Sequence, residues 1–196
     1  MLVVNKPSML LSVPGRGPDK QDSLATRIQS RFPDATIVHR LDWETSGVMV
    51  MALNADSHRE LSRQFHDREV NKAYVAVVYG QMEAEYGEID LPMRCDIDNR
   101  PRQIIDHQHG KWALTRWQML EHQKDRTRLL LKPVTGRSHQ LRVHLQAIGH
   151  PILGDSLYAH TDAQTMANRL MLHAHTLSFK HPQNSEPMNF KVECPF

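Results

Sequence analysis

The stretch HRLDWETSG, residues 39–47, places an aspartate two residues after an arginine. An aspartate beside an arginine keeps its charged form at neutral pH. Asp42 is therefore suited to act as a nucleophile or an electrostatic stabiliser rather than as a proton donor. For one Asp and one Arg, the ordinary alternative is a surface ion pair worth about 0–1 kcal/mol. This stretch alone does not decide between the two.

A second stretch, GRSHQLR at residues 136–142, adds basic and polar side chains where the pattern predicts the start of a helix. In a helix that begins near Ser138, His139 and Arg142 lie three residues apart and share a face. The leucines of the same segment lie on another face, where they can anchor the core. Arg142 can then point into a site.

Other chemistries find little support in the residue spacing. The chain has 13 histidines, yet none belongs to an HExxH or related metal motif, and His139 and His144 are five residues apart. No GxSxG elbow is present, and Ser46 is predicted to lie in a turn. Cys95 and Cys194 lack a CxxC partner, which argues against a disulfide framework and a zinc site. The remaining candidates for chemistry are one acid, Asp42, and several arginines.

The composition is that of a soluble globular domain, with 40% hydrophobic and 23% charged residues among 196. No apolar run is long enough to span a membrane, and the N-terminus lacks a signal peptide, so we expect a cytoplasmic protein. The net charge is only +2, but residues 94–137 hold ten Lys/Arg against five Asp/Glu. Trp112 and Trp117 lie in this basic segment, a combination that favours nucleic-acid binding slightly.

Periodicity and capping signals predict how these stretches are positioned. One helix should begin after Asp22-Ser23 and end by Pro33, and a second should run from Asn54 or Asp56 to about Arg68. The helix containing SHQLRVHLQAI follows later in the chain. Strands are predicted at ATIVHRL, VMVMAL, KAYVAVVYG, WALTRWQML, TRLLLKPV, LMLHAHTLSF and MNFKV. HRLDWETSG is then a loop between two strands, and residues 81–110 are irregular or weakly paired. The expected fold is α+β on a largely antiparallel or mixed sheet.

HRLD followed by TSG, then KAY at 72–74, then GRSHQLR resembles the motif set of the RluA-type pseudouridine synthases in order and spacing. The stretches NKPSMLLSVPGR, GHPILGDSLY and RLMLHA extend the resemblance over nearly the whole chain. The resemblance implies a bifurcated, mainly antiparallel sheet flanked by helices, with the active-site cleft between its halves. It also implies a single catalytic domain over residues 1–196, with a shortened N-terminal edge and no preceding S4-like RNA-binding domain.

The resemblance also implies roles for individual residues. Asp42 matches the catalytic aspartate, Tyr74 the tyrosine that packs on the target base, and Arg142 the arginine that pairs with the aspartate. Arg40 matches a residue that enters the RNA where the uridine has flipped out. Further candidates for RNA binding or base flipping are His39, Thr45, Arg100, Arg102, Lys111, Arg137 and His139. The family uses no metal or organic cofactor.

The implied function is isomerisation of a flipped-out uridine to pseudouridine in structured stem-loops of 23S rRNA and of a tRNA anticodon arm. We expect a monomer that binds RNA and no membrane. A carboxylate can attack C1′, add to C6 of the base, or remove the 2′ proton, and the sequence does not choose among these. Two rival functions are a noncatalytic RNA-binding module and a uridine-specific glycosylase, which would release free uracil.

Overall fold

The computed structural model describes all 196 residues. None of its helices is long and apolar enough to cross a membrane. The helices are α1 (Leu24–Gln29), α2 (Ala55–His66), α3 (Gln140–Ala147) and α4 (Thr161–Thr165), and a 3-10 turn covers Pro18–Lys20. The strands are β1 (Leu2–Lys6), β2 (Thr36–Ile37), β3 (Ser46–Ala52), β4 (Asn71–Tyr79), β5 (Tyr86–Asp90), β6 (Met93–Cys95), β7 (Gln103–Ile105), β8 (Leu114–His122), β9 (Arg126–Pro133), β10 (Leu172–Lys180) and β11 (Pro187–Lys191).

The first two helices begin at the polar residues that the sequence marks as caps. Ser23 Oγ accepts the backbone N–H of Thr26, and Thr26 Oγ1 accepts the backbone N–H of Ser23, which forms a reciprocal capping box. The side chain of Asn54 accepts the backbone N–H of Ser57 at the start of α2. Both predicted starts are confirmed.

Residues 1–72 and 173–195 form one compact unit around β3, which is buried along its whole length. β3 pairs antiparallel with β1 and β2, and its first two residues pair in parallel with β10. β11 returns antiparallel along β10. Ser46 is the first residue of β3 rather than part of a turn, and its hydroxyl hydrogen-bonds His173 Nδ1 at 2.8 Å. Ser46 is therefore buried in the core, where its hydroxyl links β3 to β10.

The strand predicted at ATIVHRL is reduced to the two residues of β2. Its ladder pairs Thr36 with Ala52 and Ile37 with Met51. At the next position along β3, the N–H of Val50 donates to Nε2 of His39 at 3.1 Å. A side chain therefore takes the hydrogen bond that a longer β2 would need, and the chain leaves the sheet to form the loop of residues 38–45.

Residues 73–172, together with Phe196, form the second unit. Its sheet is antiparallel in the order β4-β9-β8-β5, and β6 and β7 form a separate hairpin. Leu141 and Leu145 of α3 pack into the main core cluster of this unit, as predicted for that face of the helix. The strands of both units are mixed and mainly antiparallel, and the predicted α+β class is confirmed.

Two predictions for this second unit differ from the structure in detail. The segment Gln81–Gly110, predicted to be irregular or weakly paired, contains β5, which pairs with β8, and the short hairpin of β6 and β7. Short, half-exposed strands carry many of the polar and turn residues that are typical of loops. Helix α3 begins at Gln140, two residues later than expected, since His139 has a left-handed backbone with φ 54°. A left-handed residue caps a helix but cannot continue it.

The closest approach of β3 to β10 depends on Gly47. Its φ is 121°, and a Cβ there would lie 2.2 Å from the backbone oxygen of Ala174. We expect Gly47→Ala to lower the free energy of unfolding by at least about 3 kcal/mol, from backbone strain and a clash that backbone must relieve. Gly149→Ala is the control, since φ is 85° there but a Cβ would meet nothing within 4 Å. In Gly149→Ala, backbone strain alone should lower the free energy of unfolding by about 1–2 kcal/mol. If urea unfolding gave equal losses for the two variants, the clash at Gly47 would not explain the effect.

Candidate active site

The loop of residues 38–45 displays two of the predicted site residues side by side. Arg40 is exposed and Asp42 is half-buried. The carbonyl of Asp42 accepts the N–H of Thr45 at 3.2 Å, which closes a turn over residues 42–45. Thr45, predicted to contact RNA, is only 2% exposed.

The backbone of this loop is held by side chains from the N-terminal segment. Lys6 is fully buried and donates from Nζ to the carbonyl oxygens of Pro7, Leu10 and Trp43, at 2.9, 2.7 and 3.2 Å. The hydroxyl of Ser8 donates to the carbonyl of Glu44 at 2.6 Å. The loop is thus tied to residues 6–10 on the C-terminal side of Asp42.

A second tie holds the loop on the N-terminal side of the carboxylate. Ser12 Oγ donates to the carbonyl of Leu41 at 2.7 Å and accepts the N–H of the same residue at 3.1 Å. The buried Leu41 side chain anchors the loop further. Asp42 therefore sits between two fixed backbone positions, a geometry that keeps a reacting carboxylate in place.

His39, another predicted RNA contact, also supports the loop. Its ring stacks on Phe65 with centroids 4.4 Å apart, and Nε2 accepts the N–H of Val50. Burial of the ring, and to a smaller extent the charge of Lys72, lower the pKa of His39 to about 3. The imidazole is therefore neutral at physiological pH, as an Nε2 acceptor requires.

In the second unit, Arg142 is held by a residue that the sequence did not single out. Asp155 receives two hydrogen bonds from the guanidinium, Nε to Oδ2 at 2.8 Å and Nη2 to Oδ1 at 2.6 Å. Both side chains are almost completely buried, at 2% and 1% exposure. The backbone N–H groups of Leu157 and Tyr158 also donate to Asp155 Oδ1. The only sequence signal was the stretch GDSLY, noted as part of the family resemblance.

Tyr158 joins Arg142 to His139. The guanidinium carbon lies 5.3 Å from the centroid of the tyrosine ring, and the hydroxyl hydrogen-bonds Nδ1 of His139 at 2.6 Å. The same hydroxyl accepts the N–H of Gln103, the first residue of β7. His139 and Arg142 thus both contact the side chain of Tyr158, although His139 precedes α3 rather than sharing a helix face with Arg142.

Tyr74 lies on β4, opposite Leu131 of β9. It is half-buried and packs against the main core cluster of its unit, which includes Leu131. The ring is therefore supported by apolar side chains and still reaches the surface. A supported, half-exposed aromatic ring can hold a nucleobase by stacking.

The basic segment 94–137 divides into paired and unpaired cations. Arg100 and Arg102, in the β6–β7 connection, are exposed and enter no ion pair, and Lys111 is also exposed. The exposed Arg137 donates from Nε to the carbonyl of Trp112. Other arginines of the segment form ion pairs: Arg94 with Asp106, Arg116 with Glu88, and Arg126 with Asp125. Trp117, predicted to interleave with these cations, is buried. Arg100, Arg102 and Lys111 are thus exposed cations of this segment without an ion pair.

Comparison with known proteins identifies the family of this chain. A model of the family described as RNA pseudouridylate synthase matches residues 1–147. The chain belongs to this family. The dual-specificity RNA pseudouridine synthase RluA of Yersinia pestis is 54% identical over 100% of this chain and 96% of its own length. RluA of Escherichia coli K12 is 52% identical, over 100% of this chain and 90% of its own length.

A solved structure of the human RNA pseudouridylate synthase domain containing 1 has a TM-score of 0.84 and 33% identity. It covers 100% of this chain, which covers 80% of that one. The protein is therefore an RNA pseudouridine synthase, an isomerase of RNA nucleotides. Neither a noncatalytic binding module nor a base-releasing glycosylase is supported by these relationships.

The synthase should depend on Asp155 for stability as well as for the placement of Arg142. Asp155→Asn removes the charge that faces the buried guanidinium, and we expect the free energy of unfolding to fall by about 3–5 kcal/mol. Asp125→Asn is the matched control, because its pair with Arg126 is at the surface and should contribute about 0–1 kcal/mol. Guanidinium chloride unfolding measures both. Similar small losses for the two variants would show that the buried pair does not stabilise the fold.

Proposed function

We propose that this synthase converts a flipped-out uridine to pseudouridine in stem-loops of 23S rRNA and of a tRNA anticodon arm, with Asp42 as the catalytic carboxylate. The observation that carries the proposal is the Asp42 loop itself. A half-buried carboxylate stands on a backbone tied at Leu41, Trp43 and Glu44. Dual specificity is printed in the names of relatives that are 52–54% identical over the full chain, and this supports two RNA classes.

The reaction breaks the N1–C1′ bond of uridine, turns the base, and forms a C5–C1′ bond. N1 gains a proton and C5 loses one, so the composition of the nucleotide does not change. Between these steps the base and the sugar must remain within reach of each other. A carboxylate whose position is fixed before binding supports such a sequence, because no reorganisation is needed as charge develops.

Tyr74 is proposed to retain the detached uracil by stacking. Base stacking on an aromatic side chain contributes about 1–3 kcal/mol. The ring also excludes water, which would otherwise trap the sugar and release the base. Arg142, oriented by Asp155, supplies a fixed positive charge to the same reaction.

RNA binding is proposed to begin at exposed cations of the basic segment that form no ion pair within the protein. Arg100 and Arg102 in the β6–β7 connection, with Lys111 and Arg137, can contact phosphates, while Arg40 can fill the gap that the uridine leaves. Selection then rests on how easily a loop releases its uridine, since unstacking costs a few kcal/mol and costs least in a flexible loop. We propose that the synthase acts as a monomer.

Replacement of the carboxylate tests the central proposal. Asp42→Asn keeps the size of the side chain but removes its charge, so we expect isomerisation of an anticodon stem-loop to be lost while the Kd changes less than about threefold. Glu44→Gln is the control, because it removes a charge from the same loop and should retain turnover. Pseudouridine is measured by chemical mapping after single-turnover reactions. Substantial turnover by the Asn variant would remove Asp42 from the mechanism.

Neutralising the unpaired cations tests how the RNA is held. Arg100→Gln combined with Arg102→Gln should weaken the binding of cognate and noncognate hairpins equally, because phosphate contacts do not depend on sequence. The slope of log Kd against log salt should fall in magnitude by about 1.5–2, as two contacts predict. The control pair Arg116→Gln and Arg126→Gln, whose cations are already paired, should leave the slope unchanged. A loss confined to the cognate hairpin would instead indicate base readout.

A further inference from the structure

Trp43 follows Asp42 directly and leaves 48% of its surface exposed. Single exposed apolar side chains are common on protein surfaces and need no explanation by themselves. Trp43 differs from such scattered side chains because its indole follows the proposed catalytic carboxylate of an RNA-modifying enzyme. Whatever RNA binds at Asp42 brings neighbouring bases close to this ring.

The indole is also carried by a fixed backbone. The carbonyl of Trp43 accepts from the buried Lys6 ammonium, and the carbonyl of the next residue, Glu44, accepts from Ser8. A ring presented in this way loses little conformational freedom when it binds, which favours its use as a rigid contact.

A second exposed apolar side chain belongs to the segment tied to this loop. Met9 is 56% exposed and holds a left-handed backbone with φ 61°. It lies between Ser8 and Leu10, and both neighbours are linked to the loop, through the Ser8 hydroxyl and through Lys6 Nζ. The charges nearby are the exposed Arg40, which can contact phosphate, and the half-buried Glu44. The two linked segments thus expose a flat ring, an apolar side chain and a cation.

We propose that Trp43 is the stacking platform for an RNA base that flanks the target uridine, and that Met9 covers the apolar edge of this base. The inference rests on the proposed role of Asp42. Adjacent Cα atoms are about 3.8 Å apart, so a base on Trp43 can belong to the nucleotide next to a uridine held by Asp42. When the uridine leaves its stack, the flanking base loses a stacking partner, which the indole replaces.

This role suits a substrate class of two different RNAs. Stacking on an aromatic ring tolerates any base, because every base has a π face. A platform of this kind stabilises the opened loop without reading one sequence. The ligand is therefore a nucleobase defined by its position next to the uridine, and not by its identity.

A double-mutant cycle tests the contact. The protein variants are Trp43→Ala and Trp43→Phe, and the RNA variants are anticodon stem-loops with an abasic nucleotide at the 5′ or the 3′ neighbour of the uridine. We expect Trp43→Ala to raise the Kd of the intact hairpin about 5- to 100-fold, and Trp43→Phe to raise it only a few-fold. With the abasic hairpin at the stacking position, Trp43→Ala should change Kd less than about twofold.

The control is Phe32→Ala, which removes an exposed aromatic ring beyond the end of α1. It should affect intact and abasic hairpins alike. A folding defect in Trp43→Ala would also weaken all hairpins equally, so it cannot imitate a loss confined to one position. Equal effects of Trp43→Ala on the intact and both abasic hairpins, or no effect on the intact one, would overturn the inference. Turnover by Asp42→Asn would refute the proposed function, and the abasic result does not depend on it.

Discussion

The requirement that a buried ammonium must find acceptors governs the loop that carries Asp42. Removing a lysine charge from water costs several kcal/mol unless polar groups replace the water. Lys6 meets this requirement with the carbonyl oxygens of Pro7, Leu10 and Trp43. Those carbonyls belong to the N-terminal segment and to the loop of residues 38–45. Solvation of one charge therefore holds two stretches of backbone together.

The second unit orders its arginine by the same principle, with a carboxylate in place of the carbonyl oxygens. The guanidinium of Arg142 is removed from water and receives a bidentate carboxylate, and this carboxylate is itself held by two backbone N–H groups. Planar fork geometry fixes the orientation of a guanidinium in a way that a lysine could not reproduce. The Tyr158 hydroxyl links this pair to His139 and to the first residue of β7 through two further hydrogen bonds.

Features encoded within a few residues could be predicted from the sequence. The caps at Ser23 and Asn54, the apolar runs of β3 and β4, and the position of HRLDWETSG between strands all depend on local patterns. The partners of Lys6 and Arg142 could not be predicted, because Trp43 lies 37 residues from Lys6 and Asp155 lies 13 residues from Arg142. Nothing local distinguishes Asp155 from other acids. The shortness of β2 could not be predicted either. It depends on the hydrogen bond between the Val50 N–H and the His39 ring, which forms only in the folded chain.

The ties on the loop of residues 38–45 have a consequence for how such an enzyme can change. Lys6, Ser8 and Ser12 all hold main-chain atoms, the carbonyls of Trp43, Glu44 and Leu41. A carbonyl is present whatever side chain the residue carries. Positions 43 and 44 can therefore exchange their side chains, by mutation or by design, while the neighbouring carboxylate keeps its place. The surface beside Asp42 can therefore evolve without disturbing the backbone that carries this residue.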